Sequence, residues 1–113
     1  MIVSHRDMVE GISFSGEAKN VLKKTLIGKN EGWEDYVMRY FEVGEGGYSP
    51  KHVHAWPHIV YILGGEGVID IEGKEHGVKT GSYAFISSNL EHQFLNTGSD
   101  TFSFICIVPP EGD

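Results

Sequence analysis

Short apolar segments separated by glycine-rich turns are the feature that most restricts how this chain can fold. The 113 residues include 15 glycines, placed singly and in pairs between these segments. Glycine is favoured in tight turns because it adopts backbone conformations that other residues avoid. Turn signals recur at roughly 8–12-residue spacing and no segment has helical periodicity, which predicts an all-β sandwich or barrel. The candidate strands are 21–27, 36–43, 50–54, 58–63, 68–71, a polar one ending near 79, 82–86, 92–95 and 101–108.

The length of the chain allows one compact domain. A chain of this size buries roughly two-thirds of the surface that it exposes when unfolded, so it can form a core. Residues 1–20 show weak periodicity and mixed charge, and we predict an N-terminal arm there. We expect a single β-barrel domain over residues 21–113.

Charge and hydropathy exclude several classes of partner. The net charge is -7 and no basic run occurs, which argues against a nucleic acid or an anionic membrane surface. The longest apolar run, Ile59 to Leu63, is too short to cross a bilayer, and the first residues lack the apolar stretch of a signal peptide. A single cysteine cannot form an internal disulfide. We therefore predict a cytoplasmic protein with neither a nucleic-acid nor a membrane partner.

Several strands are apolar on both faces. In the last one, Phe102, Phe104, Cys106 and Val108 share one side, while Ile105 and Ile107 lie on the other. An antiparallel strand with one solvated face should instead alternate between apolar and polar residues. The pattern implies that the outer face is covered, either by the flank of the other sheet or by a second subunit, and we favour a homodimer.

Four of the six histidines occur in two places, three of them within residues 52–58. Residues i and i+2 of a strand point to the same side, so His52 and His54 can converge on one ion. His58 can return on the neighbouring strand, and His92 can reach the same point from across the barrel. The alternative is that these are surface histidines, as we expect of His5 and His76.

At these residues the sequence resembles the cupin superfamily. The family's first motif, G-x5-H-x-H-x3,4-E-x6-G, is matched from Gly46 to Gly65 with His58 in place of the glutamate. The second motif, G-x5-P-x-G-x2-H-x3-N, is matched from Gly81 through His92 to Asn96, with Ser87 and Asn89 in place of proline and glycine. The resemblance covers about residues 36–108. It implies a double-stranded β-helix, the jelly-roll barrel of cupins.

Within that superfamily the chain is similar to small four-histidine cupins associated with manganese or iron. The resemblance implies one divalent transition metal per chain on His52, His54, His58 and His92, with Mn or Fe favoured and Zn, Ni or Cu also suited to nitrogen ligands. Four neutral imidazoles leave a divalent ion with a net charge near +2, so the site should attract anionic or oxygen-donor small molecules. Since bound histidine must be deprotonated, metal should be lost as the pH falls through the imidazole range.

Further residues are candidates for the pocket near the metal or for the core. The pocket candidates are Cys106, Asn96, Phe104 and Trp56. Each has an alternative: an inert buried thiol for Cys106, a turn-closing amide for Asn96, an interface or packing role for Trp56, and a core position for Phe104. The core candidates are Phe85, Phe94, Phe104, Ile62 and Tyr61.

Three kinds of function fit this constellation. The first is a metal-dependent enzyme, either a dioxygenase or other oxidoreductase of a small organic substrate, or a decarboxylase of an oxalate-like acid. The second is a non-catalytic module that binds or senses a small anion through the metal. The third is a purely structural metal, which would need a closed tetrahedron of protein ligands.

Overall fold

The computed structural model describes residues 1–14 and 16–113, and within these residues it is almost entirely β. The all-β prediction is confirmed. The strands are β1 (Ile12–Ser13), β2 (Lys19–Ile27), β3 (Val37–Tyr48), β4 (His58–Gly64), β5 (Glu66–Ile71), β6 (Lys74–Lys79), β7 (Tyr83–Ile86), β8 (His92–Asn96) and β9 (Phe102–Val108). The described helical segments are single 3₁₀ turns at Arg6–Met8, Lys29–Glu31 and Pro110–Gly112.

The strands form one antiparallel sheet that curls into a nearly closed barrel. Their order is β6-β5-β8-β3-β9-β4-β7, and β2 pairs with both β1 and β3. Many of the paired strands are far apart in the sequence. Strand β3, at the centre of the sheet, pairs with β2 near the start of the chain and with β9 near its end. This arrangement brings β4 and β8, which carry His58 and His92 as their first residues, to the same end of the barrel.

Strand β3 is longer than the sequence predicts. We expected the glycine-rich segment 44–47 to end it, but the strand continues to Tyr48 through a bulge. Gly46 has a φ of 70°, in the left-handed region that glycine tolerates. A side chain at Gly47 would lie 2.6 Å from the carbonyl oxygen of Lys19, so the close approach of β2 requires glycine there. By contrast, the predicted strand over 50–54 is reduced to an isolated bridge at His52.

The inward faces of the central strands form the core. Its largest fully buried side chains include Phe102, Phe104 and Ile62, and Phe94 is also buried. Two of the predicted core residues, Phe85 and Tyr61, instead lie on the outer face and are 64% and 49% exposed. Their exposure follows from the register, because Ile59 and Tyr61 alternate with the buried Val60 and Ile62.

The N-terminal segment packs on the outside of the barrel. The guanidinium carbon of Arg6 lies 5.2 Å from the ring centre of Tyr40, and the Nζ of Lys24 donates to the carbonyl of Arg6 at 2.8 Å. Tyr40 is therefore buried although it points outward. In the described part of the chain, no helix is long and apolar enough to span a membrane.

Candidate metal centre

Three histidines from separate stretches meet at one end of the barrel. His58 and His92 begin β4 and β8 and are buried, and the half-buried His54 lies in the connection before β4. Ligand nitrogens of the three rings all lie within 4.8 Å of one another. Two nitrogens bound to one ion at about 2.1 Å lie roughly 3–4.2 Å apart, so small ring rotations would complete the geometry.

His52, the fourth predicted ligand, lies at the rim of this cluster. Its ring centre is 5.0 Å from that of His54, and the residue is exposed. Its backbone pairs directly with His92: the N–H of each residue donates to the carbonyl of the other, at 3.0 and 2.9 Å. Directly opposed residues of an antiparallel pair project to the same face. The structure therefore brings three of the four together and places His52 beside them.

Burial keeps the clustered histidines neutral. It lowers the pKa of His58 to about 3, and the proximity of His92 and of the charged Arg39 lowers it further. Burial also lowers the pKa of His54 and of His92, although a hydrogen bond to the Leu90 carbonyl partly opposes the shift at His92. Neutral imidazole is the form that binds a metal ion.

The unmet hydrogen-bonding capacity of the cluster also suits a cation. In the described residues, the buried Nδ1 of His58 has no hydrogen-bond partner. Buried polar atoms are normally paired, and an ion bound at this nitrogen would supply the missing partner. The ring of His92, by contrast, has a hydrogen-bond partner. Its Nδ1 lies 2.9 Å from the carbonyl oxygen of Leu90, which orients the ring and leaves Nε2 free to bind an ion.

A cavity of about 480 Å³ opens onto the histidines. Phe41, Phe94 and Phe104 form a stacked aromatic wall, with ring centres 5.2 and 4.4 Å from the middle ring, that of Phe104. Such a volume suits one small organic molecule. Lining residues outside this wall include Lys23, Arg39, Ser49, Pro50, Trp56, Cys106, Glu111 and Asp113.

Three of the four predicted pocket residues line this cavity. Trp56 stacks on His54 with ring centres 4.8 Å apart and planes 9° from parallel. Cys106 is 1% exposed, and burial raises the pKa of its thiol, so the sulfur stays protonated. Phe104 belongs to the aromatic wall.

Asn96 lies away from the cavity lining and closes a turn. Its Nδ2 donates to the carbonyls of Val43 and Asp100, both at 2.9 Å, and its Oδ1 accepts from the N–H of Gly98 at 2.9 Å. Of the two interpretations from sequence, these contacts correspond to the turn-closing one. His5 and His76 are both exposed.

Arg39, a buried cation in the wall of the cavity, was not predicted from the sequence as a functional residue. It lies on the inward face of β3 and is only 8% exposed. The signal was present, because Arg39 interrupts an otherwise apolar alternation formed by Val37, Phe41 and Val43. Positively charged residues are almost never fully buried unless they are paired, so a charge at such a position requires compensation.

Residues 39–108 match a protein family described as the cupin domain. The structure superposes on that of the polyketide cyclase RemF from Streptomyces resistomycificus with a TM-score of 0.89, covering 96% of this chain and 79% of that one at 29% identity. The jelly-roll barrel predicted from the motifs is confirmed.

Two curated relatives have functional names. A 1-methylthio-D-xylulose 5-phosphate methylsulfurylase from Rhodospirillum rubrum is 34% identical over 76 residues, covering 67% of this chain and 49% of the relative. An oxalate-binding protein from Thermotoga maritima is 38% identical over 50 residues, covering 44% of this chain and 41% of the relative. The chain thus spans about half or less of the length of these two proteins, whose names describe different chemistries.

Proposed function

The chain belongs to the cupin family, and from this premise we propose that it is a metal-dependent enzyme acting on a small oxygen-donor substrate. The proposed ligands are His52, His54, His58 and His92, with one divalent transition metal per chain. The observation that carries the proposal is the cluster of three neutral imidazoles, two buried and one half-buried, that lines a small cavity. When bound there, the metal would supply a Lewis acid that polarises an oxygen of the substrate.

The protein's own residues have separable tasks in this proposal. The Leu90 carbonyl fixes the ring orientation of His92, and the stacked indole of Trp56 holds the ring of His54. The wall of Phe41, Phe94 and Phe104 excludes water from one side of the cavity. A water-poor site strengthens the electrostatic effect of nearby charges on a bound substrate.

The reaction class is tested with defined metals. Metal-free protein is reloaded with Fe(II), Mn(II) or Zn(II), and each form is assayed for oxygen uptake with a panel of small organic acids and for CO₂ release from oxalate. Oxygen uptake with Fe or Mn alone would support the dioxygenase or other oxidoreductase predicted from sequence. CO₂ release would support a decarboxylase. Activity that persists equally in the metal-free protein would contradict the proposal.

Non-catalytic binding of a small anion is the second candidate, and one relative's name, oxalate-binding protein, favours it. Four neutral ligands leave a divalent ion's charge uncompensated, so capture of an anion needs no further catalytic group. Saturable binding of oxalate by the metal-loaded protein, with oxalate recovered intact after prolonged incubation, would favour this function over the enzyme.

We also propose that the protein acts as a homodimer, through the outer face of β4 and β7. Ile59 pairs with Phe85 and Tyr61 with Tyr83, and all four side chains are about half exposed or more. The same rows continue onto β9, where Ile107 pairs with Ile59 and Ile105 with Tyr61. Contiguous exposed apolar surface of this kind is characteristic of a protein–protein interface.

A cytoplasmic location of the protein stays a prediction from the sequence.

A further inference from the structure

Arg39 is a buried cation of the cavity that the metal centre leaves unexplained. It is 8% exposed and lines the same cavity as the histidines. Arginine stays charged in proteins, and removal of that charge from water is costly unless an anion compensates it. The inference drawn from this residue rests on the proposed function, because it concerns the ligand of the same site.

In the described part of the chain Arg39 has no carboxylate in direct contact, and the face of the Phe41 ring lies 5.0 Å from its guanidinium carbon. One terminal nitrogen, Nη1, donates to the carbonyl of Gly112 at 3.2 Å, and Nη2 donates to the Sγ of Cys106 at 3.0 Å. The thiol is neutral, since burial raises its pKa more than Arg39 lowers it. Among the residues that the structure describes, no carboxylate oxygen lies within 4.0 Å of the guanidinium.

The other cation of the cavity wall is already paired. The Nζ of Lys23 lies 3.3 Å from the Oδ1 of Asp113, which also accepts from the hydroxyl of Thr25 at 3.3 Å. Glu111 adds a further carboxylate to the wall. Of the two cations in the described lining, Arg39 is the one without a carboxylate partner.

Arg39 retains donors for a ligand. A guanidinium has five N–H groups, and two of them are used by Gly112 and Cys106. Its buried Nε has no partner in the described part of the chain. Nε–H and a neighbouring terminal N–H form the fork that binds two oxygens of a carboxylate or phosphate.

The register places this fork within reach of the metal centre. Arg39 pairs with Cys106 and Cys106 with Val60, so the three inward side chains form one row. His58 lies two residues before Val60 on the same face, roughly 7 Å along the strand, and Arg39 lies two strands, roughly 10 Å, to the side. A long arginine side chain covers much of that distance. Its charge contributes to the lowered pKa of His54, His58 and His92 alike.

We propose that Arg39 binds the anionic end of the substrate, a carboxylate or a phosphate, while an oxygen at the other end of the same molecule reaches the metal. The substrate class is thus a small organic acid or phosphate ester with a second oxygen donor. The aromatic wall begins at Phe94, 6.3 Å from the ring of His92, and ends at Phe41, 5.0 Å from the guanidinium carbon of Arg39, so it accommodates the carbon skeleton of this substrate.

The test compares metal-binding probes that differ in their tails. Acetohydroxamate can bind the metal but has no anionic tail, whereas succinate monohydroxamate and 3-phosphonopropionohydroxamate add a carboxylate and a phosphonate. Their affinities for the Zn(II)-loaded protein are measured by isothermal titration calorimetry for the parent, Arg39→Gln and Arg39→Lys. Arg6→Gln is the matched control, because it removes an arginine charge from the outer surface.

We expect at least one anionic probe to lose about tenfold or more in affinity with Arg39→Gln, and less with Arg39→Lys, which keeps the charge but not the fork. Acetohydroxamate should bind all variants alike, and Arg6→Gln should match the parent with every probe. The probe that loses affinity identifies the anion as a carboxylate or a phosphate.

The inference is overturned if both anionic probes bind Arg39→Gln as tightly as the parent, or if Lys23→Gln causes the same loss. Failure of the proposed function has a different signature. In that case the parent retains no zinc and binds no hydroxamate at all, whatever residue stands at position 39.

Discussion

The backbones of His52 and His92 hydrogen bond to each other in both directions, at 3.0 and 2.9 Å, although 39 positions of the chain lie between them. This two-residue bridge fixes the exposed histidine of the first motif against the buried histidine of the second. It places His52 at the open side of the histidine cluster and His92 at its closed side.

The position of His52 predicts a graded effect of substitution. His52→Ala should weaken metal retention, but less than His92→Ala, because only His92 belongs to the cluster whose nitrogens lie within 4.8 Å of one another. Competition with a chelator of known affinity measures the difference. Equal metal affinity in His52→Ala and the parent would remove His52 from the ligand set.

The lowered histidine pKa values predict how the stability of the metal-free protein depends on pH. An unfolded histidine takes up a proton near pH 6.5, whereas His58 in the folded protein does so near pH 3. The unfolded state therefore binds more protons between these values, and the free energy of unfolding should fall as the pH is lowered through this window. The slope is about 1.4 kcal/mol per pH unit for each such histidine.

Urea denaturation at pH 7.5, 6, 5 and 4 checks this dependence. His58→Gln should flatten the profile, whereas His76→Gln, at an exposed position, should leave its slope unchanged. A profile that is flat between pH 7 and 4 in the parent would contradict the assigned burial. The same shifts move the expected metal loss to lower pH than free imidazole would give.

A charge on the outer face of the sheet should separate the proposed dimer. Phe85→Glu places a carboxylate in the apolar row that Phe85 forms with Ile59 and Ile107. Light scattering coupled to gel filtration should give a parent mass of about twice the 12.5 kDa chain and a variant mass close to that of one chain. Ile12→Glu, also at an exposed apolar position, should stay dimeric. A parent that runs as a single chain would overturn the dimer.

Two glycines of the β5–β6 hairpin should respond differently to alanine. A methyl group at Gly67 would lie 2.5 Å from Cε2 of Phe102 and 2.7 Å from the Leu95 carbonyl oxygen, whereas nothing lies within 4 Å at Gly77. Gly67→Ala should lower the free energy of unfolding by about 1–3 kcal/mol, since the core around Phe102 is fully packed. Gly77→Ala should change it by less than about 0.5 kcal/mol. Equal effects in urea denaturation would contradict this packing.

The sequence was sufficient to predict most of the histidine cluster, because the spacing of His52, His54 and His58 is itself a strand and turn pattern. It could not show that the ligand nitrogens of only His54, His58 and His92 lie within 4.8 Å of one another, since the position of His52 depends on its single bridge to His92. Strand β3 was predicted too short because glycine marks both a turn and a bulge. Only the pairing of Tyr48 with Lys19 distinguishes them.

The register also decided which aromatic residues are buried. Phe85 and Phe94 both lie in short strands of similar composition, but Phe85 faces outward with Ile59 and Phe94 faces the cavity. A shift of one residue would exchange these faces, and composition alone does not fix it. Arg39 was missed for a related reason, since a charged residue in a strand ordinarily faces solvent.

The central claim is that a cation is bound where His54, His58 and His92 converge. Metal content per chain, measured by inductively coupled plasma mass spectrometry on the purified parent, His58→Gln and His76→Gln, tests it most directly. We predict about one transition-metal ion per chain in the parent and in His76→Gln, and a sharp loss in a folded His58→Gln. Equal metal content in all three proteins, or none in the parent after incubation with Mn(II), Fe(II) or Zn(II), would contradict the account.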